Sequence, residues 1–192
     1  MPLPAKAAEV LDFWTGLDPA DWYSGAAALD QAITDRFRDS WDQAHAGGLT
    51  TWASCPDGML AYVLLTDQFP RNMFRGDARA FATDAMARGV CTRAWHKKRD
   101  LMIAGPLRQF MYVPFMHAED AHAQTIGVCL MASRLPGDGT GNLLHARVHR
   151  EIIRRFRRFP YRNAALGRQT TAAEAAFMAT GGYNAILQEL QD

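Results

Sequence analysis

LDQAITDRFRDSWDQA (residues 29–44) sets apolar side chains at Leu29, Ile33, Phe37, Trp41 and Ala44, with polar residues between them. Steps of four and three residues are the repeat of an α-helix that buries one stripe. The Gly47-Gly48 pair that follows is where such a helix stops. The same period recurs on both sides. Val10, Leu11, Phe13 and Trp14 predict a short amphipathic helix before it. Pro56-Asp57 opens a third helix through Leu60, Val63 and Leu64, which Phe69-Pro70 is expected to stop. A fourth helix is expected from Gly76-Asp77, with Asp77 as N-cap, through Phe81 and Met86 towards Trp95. Gly105-Pro106 opens a fifth.

A sixth helix follows Pro114 and covers roughly Glu119 to Leu135, and residues 136–142 form a loop rich in glycine. A seventh is expected from Leu143 to Arg158, and Thr171-Ala-Ala-Glu174 is a capping box for a short eighth. Apolar/polar alternation is never sustained, so no sheet is expected. The reading is all-α, with about eight helices in one domain over residues 1–192. No Gly/Ser linker and no repeat divides the chain.

Composition narrows the function classes. Hydrophobic residues are 48% and charged residues 21% of 192, which suits a globular core and not a disordered chain. A formal charge of +1 predicts no general attraction to nucleic acid or anionic membrane. The longest apolar run, Met59 to Leu65, is far short of a membrane span, and the N-terminus lacks the apolar stretch of a signal peptide. A cytoplasmic location is expected. Cys55, Cys91 and Cys129 are odd in number and far apart, so reduced and mostly buried thiols are expected, with Cys55 the one in a polar turn.

Polar residues on apolar faces are the candidates for chemistry. Asp67 shares a face with Leu60, Val63 and Leu64, and a buried carboxylate needs a partner. Arg71 and Arg75 are near enough in sequence to supply one, as a structural ion pair or as part of a pocket. On the seventh helix His145, His149, Ile152, Phe156 and Phe159 share a face, with Arg147, Arg150, Arg154, Arg157 and Arg158 opposite. Two histidines four residues apart can hold a metal, but the intervening glutamate of a zinc-protease helix is missing, and no metal site is assigned. His117, Glu119 and Asp120 lie near the start of the sixth helix. The helix dipole favours carboxylates there, and with His145 or His149 these residues could also form an acid/base group. Residues 147–168 hold eight arginines against Glu151 alone. Exposed aromatics are not interleaved with them, so a solvated face is preferred to an RNA surface, while Arg162 and Arg168 flank a turn and are expected to fold back.

Three blocks carry a family likeness. They are LTDQFPRNMFRG (65–76), QFMYVPFMHAED (109–120) and RFRRFPYRNAALGR (155–168), preceded by LDFW (11–14). Together they resemble the DUF924 family of bacterial proteins along almost the whole chain. Thr66 stands where a leucine is usual, and Tyr161 where histidine is common. The resemblance implies a right-handed helical superhelix of tetratricopeptide-like type and brings no established activity or cofactor. It implies a polar signature: Asp67, Gln68, Arg71, Asn72, Arg75, Gln109, Tyr112, His117, Glu119, Asp120, His149, Arg162 and Asn163.

Such a signature points to a polar site meeting a ligand, since a stacking scaffold would be marked by small and apolar residues. These blocks are expected to converge on one concavity. Asp67, His117, Glu119, Asp120 and His149 are the candidates for acid/base work. Gln68, Arg71, Asn72, Arg75, Gln109, Tyr112, Arg162 and Asn163 are the candidates for holding a small anionic metabolite. A peptide-binding module is the alternative, on fold analogy alone.

Overall fold

The computed structural model describes residues 2–135, 137 and 140–191. Among these residues there are helices and turns and no strand, as the periodicity predicted. Contacts divide the chain into two compact units, one ending at Ile103 and one beginning at Ala104. No helix among the described residues is long and apolar enough to cross a membrane.

The first unit is built on α1 (Ala5–Thr15), α2 (Ala27–His45), α3 (Pro56–Val63), α4 (Phe69–Met73) and α5 (Asp84–His96). The stripe that opened the sequence reading is its core: Ile33, Phe37, Trp41 and Ala44 are all buried. Phe37 meets Phe69 at 4.9 Å and Phe13 at 5.3 Å between ring centroids, and Trp14 meets Phe69 at 5.6 Å. These contacts join α1, α2 and α4 by tilted and edge-on aromatic packing, which adds about 0.5–1.5 kcal/mol per pair beyond the area buried.

Pro70 does not stop the third helix. The chain runs on from α3 through one π-helical turn, Leu64–Gln68, into α4. The wider turn lets Phe69 N–H bond the carbonyl of Leu64, five residues back. Pro70 has no N–H to offer the Thr66 carbonyl. The Thr83 hydroxyl donates to that carbonyl instead, at 2.6 Å, and accepts from Trp41 Nε1 at 3.2 Å. A proline that should end a helix is thus tolerated because a side chain from elsewhere takes its place.

The fourth predicted helix is also broken. Asp77 caps a 3₁₀ turn at Ala78–Phe81 by accepting from Arg79 N–H, and α5 starts afresh at Asp84. Further 3₁₀ turns, at Pro19–Tyr23, Thr50–Ser54 and Arg99–Met102, have no counterpart in the periodicity reading. Of the thiols, Cys91 alone is buried, and burial together with the Asp67 charge pushes it well above the usual range. Cys55 is partly buried and Cys129, expected inside, is exposed.

The second unit contains α6 (Gly105–Arg108), α7 (Val113–Met116), α8 (Ala121–Arg134), α9 (Thr140–Phe156), α10 (Ala172–Ala179) and α11 (Tyr183–Glu189). Its core gathers Val148, Ile152 and Ile153 of α9 with Phe159, Phe177 and Ile186. Helix α8 packs on α7 and α9. Gly127 permits that approach, since a Cβ there would lie 3.2 Å from the Cβ of Phe115.

Several boundaries depart from expectation. Helix α9 begins at Thr140, inside the expected loop; Pro136, Asp138 and Gly139 of that loop lie outside the described residues. It ends at Phe156, because Arg157 takes a left-handed conformation with φ 62°. That conformation costs a non-glycine residue about 1–2 kcal/mol, so the contacts made just beyond it must outweigh that cost. The capping box forms as predicted: Thr171 accepts from Glu174 N–H and the Glu174 side chain accepts from Thr171 N–H. α11 was not foreseen.

Candidate functional site

In the first unit the signature residues bind one another. Asp67 is fully buried on the π turn. Gln68 Nε2 donates to its carboxylate, and Arg71 Nη1 lies 3.4 Å from the other carboxylate oxygen. Arg71 also donates to the Asp67 carbonyl at 2.6 Å and forms a two-pronged pair with Asp84, both bonds 2.9 Å. One guanidinium therefore ties the irregular turn to α5 by the planar geometry that suits it to carboxylates. Tyr23 is 59% exposed as a residue, yet the surroundings of its phenol and the Asp67 charge both raise its pKa.

Arg75 does not partner Asp67. It pairs with Asp30 of α2 through Nε and Nη2, and Asn72 donates to the same carboxylate at 2.7 Å. Burial would raise the Asp30 carboxyl, but Arg75 and Asn72 hold it below its ordinary value. Asp30 lies 45 residues before Arg75, and no local signal connects the two.

In the second unit the second and third blocks meet. His117 and His149 come together with ring centroids 6.2 Å apart. His149 also contacts Phe159 edge-on at 5.5 Å and Tyr183 at 5.3 Å. Its Nδ1 lies 2.8 Å from the His145 carbonyl, one turn back along α9. A carbonyl only accepts, so Nδ1 carries the proton and Nε2 of the neutral ring carries the lone pair. Burial lowers the His149 pKa first, and the nearby His117, Arg162 and His145 disfavour its charged form further, bringing it to about 3. The bond to the His145 carbonyl is the one opposing influence. His149 is therefore a neutral base at physiological pH.

Arg162 is buried, 6% exposed, with its guanidinium carbon 4.5 Å from the Phe159 ring centroid. It reaches both His149 and Glu119 electrostatically. Glu119 was expected in the first turn of the sixth helix. It lies instead just before the N-cap, which is Asp120, accepting from Ala123 N–H at 2.7 Å. Glu119 accepts from Phe159 N–H at 2.8 Å and takes two bonds from Arg168, at 2.7 and 2.9 Å. Burial would raise its carboxyl, but Arg168 and the Phe159 amide hold it low. This clamp fixes Phe159 and the 3₁₀ turn Pro160–Arg162, and so positions Arg162.

The remaining candidates have structural duties. Asp120 is a cap. Asn163 is buried and reaches Glu174 and Thr170, each at 3.3 Å. Gln109 accepts from Asn142 at 3.0 Å and donates to the Pro106 carbonyl at 2.6 Å. Tyr112 is fully buried. His145 is exposed, not inward as its place on the wheel suggested, and its Nδ1 lies 2.5 Å from the Tyr183 hydroxyl. The arginine face is partly spent on ion pairs. Arg154 and Arg155 share Glu151, Arg155 also reaches Glu189, and Arg158 takes Glu174.

Arg168 and Tyr183 were not among the predicted site residues. Arg168 was legible as folding back, while Tyr183 lies beyond the third block. Among the described residues no group of three or more His, Cys, Asp or Glu could hold a metal ion. The two imidazoles of His117 and His149 remain a pair.

Comparison with known proteins agrees with the likeness read from the three blocks. The family described as "Bacterial protein of unknown function (DUF924)" matches residues 10–182. A solved structure of a protein of unknown function from Agrobacterium tumefaciens, ATU0120, is 41% identical with a TM-score of 0.85. The match covers 91% of this chain and 97% of that one. No curated protein matches.

Proposed function

The chain belongs to the DUF924 family of bacterial proteins, and we propose that it binds a small anionic metabolite at His149 in the second unit. The observation that carries this reading is the electrostatics around that ring. A neutral imidazole, its Nδ1 committed to the His145 carbonyl, lies near His117, His145 and Arg162, each of which disfavours its protonation. A partly buried base in such a setting serves no ion pair. It becomes favourable when a negative ligand supplies the missing charge.

The ring is a poor proton acceptor while the site is empty. Charging it at pH 7 from a value of about 3 requires about 5 kcal/mol. An anion beside it supplies part of that energy, so any proton transfer to His149 depends on ligand. Binding is the primary property, and acid/base chemistry would follow from it. Arg162 is the electrostatic partner of the anion, and the Glu119–Arg168 clamp positions it.

Native mass spectrometry of the full chain, incubated with a cell metabolite extract, tests the reading. A stoichiometric small-molecule adduct that is lost in His149→Gln is the expected result. A protein that stays bare, or an adduct indifferent to His149→Gln and Arg162→Gln alike, overturns it.

A further inference from the structure

We propose that the outer face and C-terminal end of α9 bind single-stranded nucleic acid, with Arg147, Arg150 and Arg157 meeting phosphates and Tyr161 stacking on a base. The proposal does not depend on a ligand at His149.

Most arginines of residues 147–168 are used within the chain. Arg154 and Arg155 share Glu151, Arg158 takes Glu174, Arg168 takes Glu119, and Arg162 is buried. Arg147, Arg150 and Arg157 are exposed, and among the described residues their side chains form no ion pair or hydrogen bond. The helices around them offer no spare acid. Glu151 is the one acidic residue of α9, and α8, which packs on it, has none. Arg147 and Arg150 are three residues apart and so neighbours on one face. Arg157 follows the last turn, about 15 Å along the axis from Arg147.

Arg157 separates this face from an ordinary solvated one. Its φ of 62° lies in the region that glycine enters without strain, and glycine is the usual residue just past a helix end. An arginine there gains nothing in the backbone and holds no ion pair within the described residues. Its charge is left for a partner outside the chain.

An exposed aromatic is also present, which the inward phenylalanines of the sequence pattern did not supply. Tyr161 is 40% exposed. Its ring stacks on Phe159, with centroids 5.3 Å apart and planes at 25°. Phe159 is fully buried, and its N–H donates to Glu119 at 2.8 Å. The tyrosine is thus backed by a fixed ring, as a stacking platform for a base requires. Positive charge alone would suit any polyanion. Bases within a duplex are already stacked on one another, and the carboxylates of an acidic peptide make no use of a ring. Unpartnered arginines near an exposed tyrosine therefore fit an unpaired strand.

Fluorescence anisotropy of the full chain with short labelled strands, oligo(U) and oligo(dT), tests the proposal across a salt series. A duplex and poly-glutamate serve as competitors. The expected result is single-strand binding that weakens with salt at a log–log slope of about −2, from three phosphates at about −0.7 each. The tighter of the two oligomers identifies RNA or DNA as the partner, and equal binding identifies a surface indifferent to the sugar. Arg147→Gln with Arg150→Gln should weaken binding at least about tenfold at low salt and flatten the slope. Tyr161→Leu should weaken it about fivefold or more and leave the slope unchanged. Arg157→Gly should weaken binding yet raise the denaturation midpoint, because glycine relieves the left-handed turn. A residue that served only the fold could not give both effects.

Absence of single-strand binding at low salt overturns the proposal. So does competition by the duplex or by poly-glutamate equal to that of the unlabelled strand, and so does a Tyr161→Leu variant that binds as the native chain does. The competition measurements use the native chain and do not depend on a variant that folds.

Discussion

The π turn of the first unit and the histidine cluster of the second both gather polar residues of the family signature, and they spend them differently. Around the π turn the charges satisfy one another: Asp67 and Asp84 with Arg71, and Asp30 with Arg75 and Asn72. The result holds a backbone irregularity that Pro70 would otherwise make untenable. Around His149 burial and the neighbouring groups outweigh the bond to the His145 carbonyl, and the ring remains neutral. A signature of Asp, Arg and His can therefore mark a lock in one place and a neutral, partly buried imidazole in another.

The largest effect should come from breaking the lock. Arg71→Met keeps much of the side-chain stem but leaves the carboxylates of Asp67 and Asp84 without their guanidinium. The loss of stability should be about 3–5 kcal/mol, as for removal of one partner from a buried pair. Urea denaturation of the full chain measures it. A loss near zero would mean that the carboxylates take up protons at little cost, and the contrast between the two regions would weaken.

A smaller effect, with a sign of its own, belongs to the histidine. The folded value for His149, about 3, lies below its ordinary 6.5. Between these values the unfolded chain binds more protons than the folded one, so stability present above 6.5 is lost as the pH falls towards 3. The carboxylates held low by their partners, Glu119, Glu151 and Asp30, act in the same direction but only below their ordinary values near 4. The interval from pH 6.5 to 5 therefore isolates the ring, which should account for a loss of about 1.5 kcal/mol. Denaturation curves at the two pH values should differ by that amount more in the native chain than in His149→Gln. Identical pH dependence would show that the ring titrates normally and would remove the basis for the proposed site.

The smallest effect is expected from the outer arginines. Arg154 is largely exposed, and Glu151 keeps Arg155 when Arg154 is gone. Arg154→Ala should leave the denaturation midpoint unchanged within error, because exposed ion pairs contribute little. A clear loss would place the arginine face with the lock around the π turn.

Local pattern determined the helices that bury a single stripe. The ladder from Leu29 to Ala44, the cap at Asp77 and the capping box at Thr171 depend on residues within a turn or two of one another, and were readable for that reason. The polar residues that matter were also legible, since Asp67, His117 and Arg162 stand in the blocks that carry the family likeness and His149 stands in the inward face read from the seventh helix. Their duties were not. Pro70 is rescued by Thr83 and Trp41, Arg75 is taken by Asp30, and Glu119 is claimed by Arg168. Each partner lies far along the chain, and hydrogen bonds between distant residues leave no periodic trace. The same is true of the histidines. Spacing set His145 and His149 one turn apart, but only the folded chain decided that the His145 carbonyl would hold the proton of its neighbour. Which nitrogen carries the proton, and which groups surround the ring, depend on positions in space, and the tertiary structure alone supplies those.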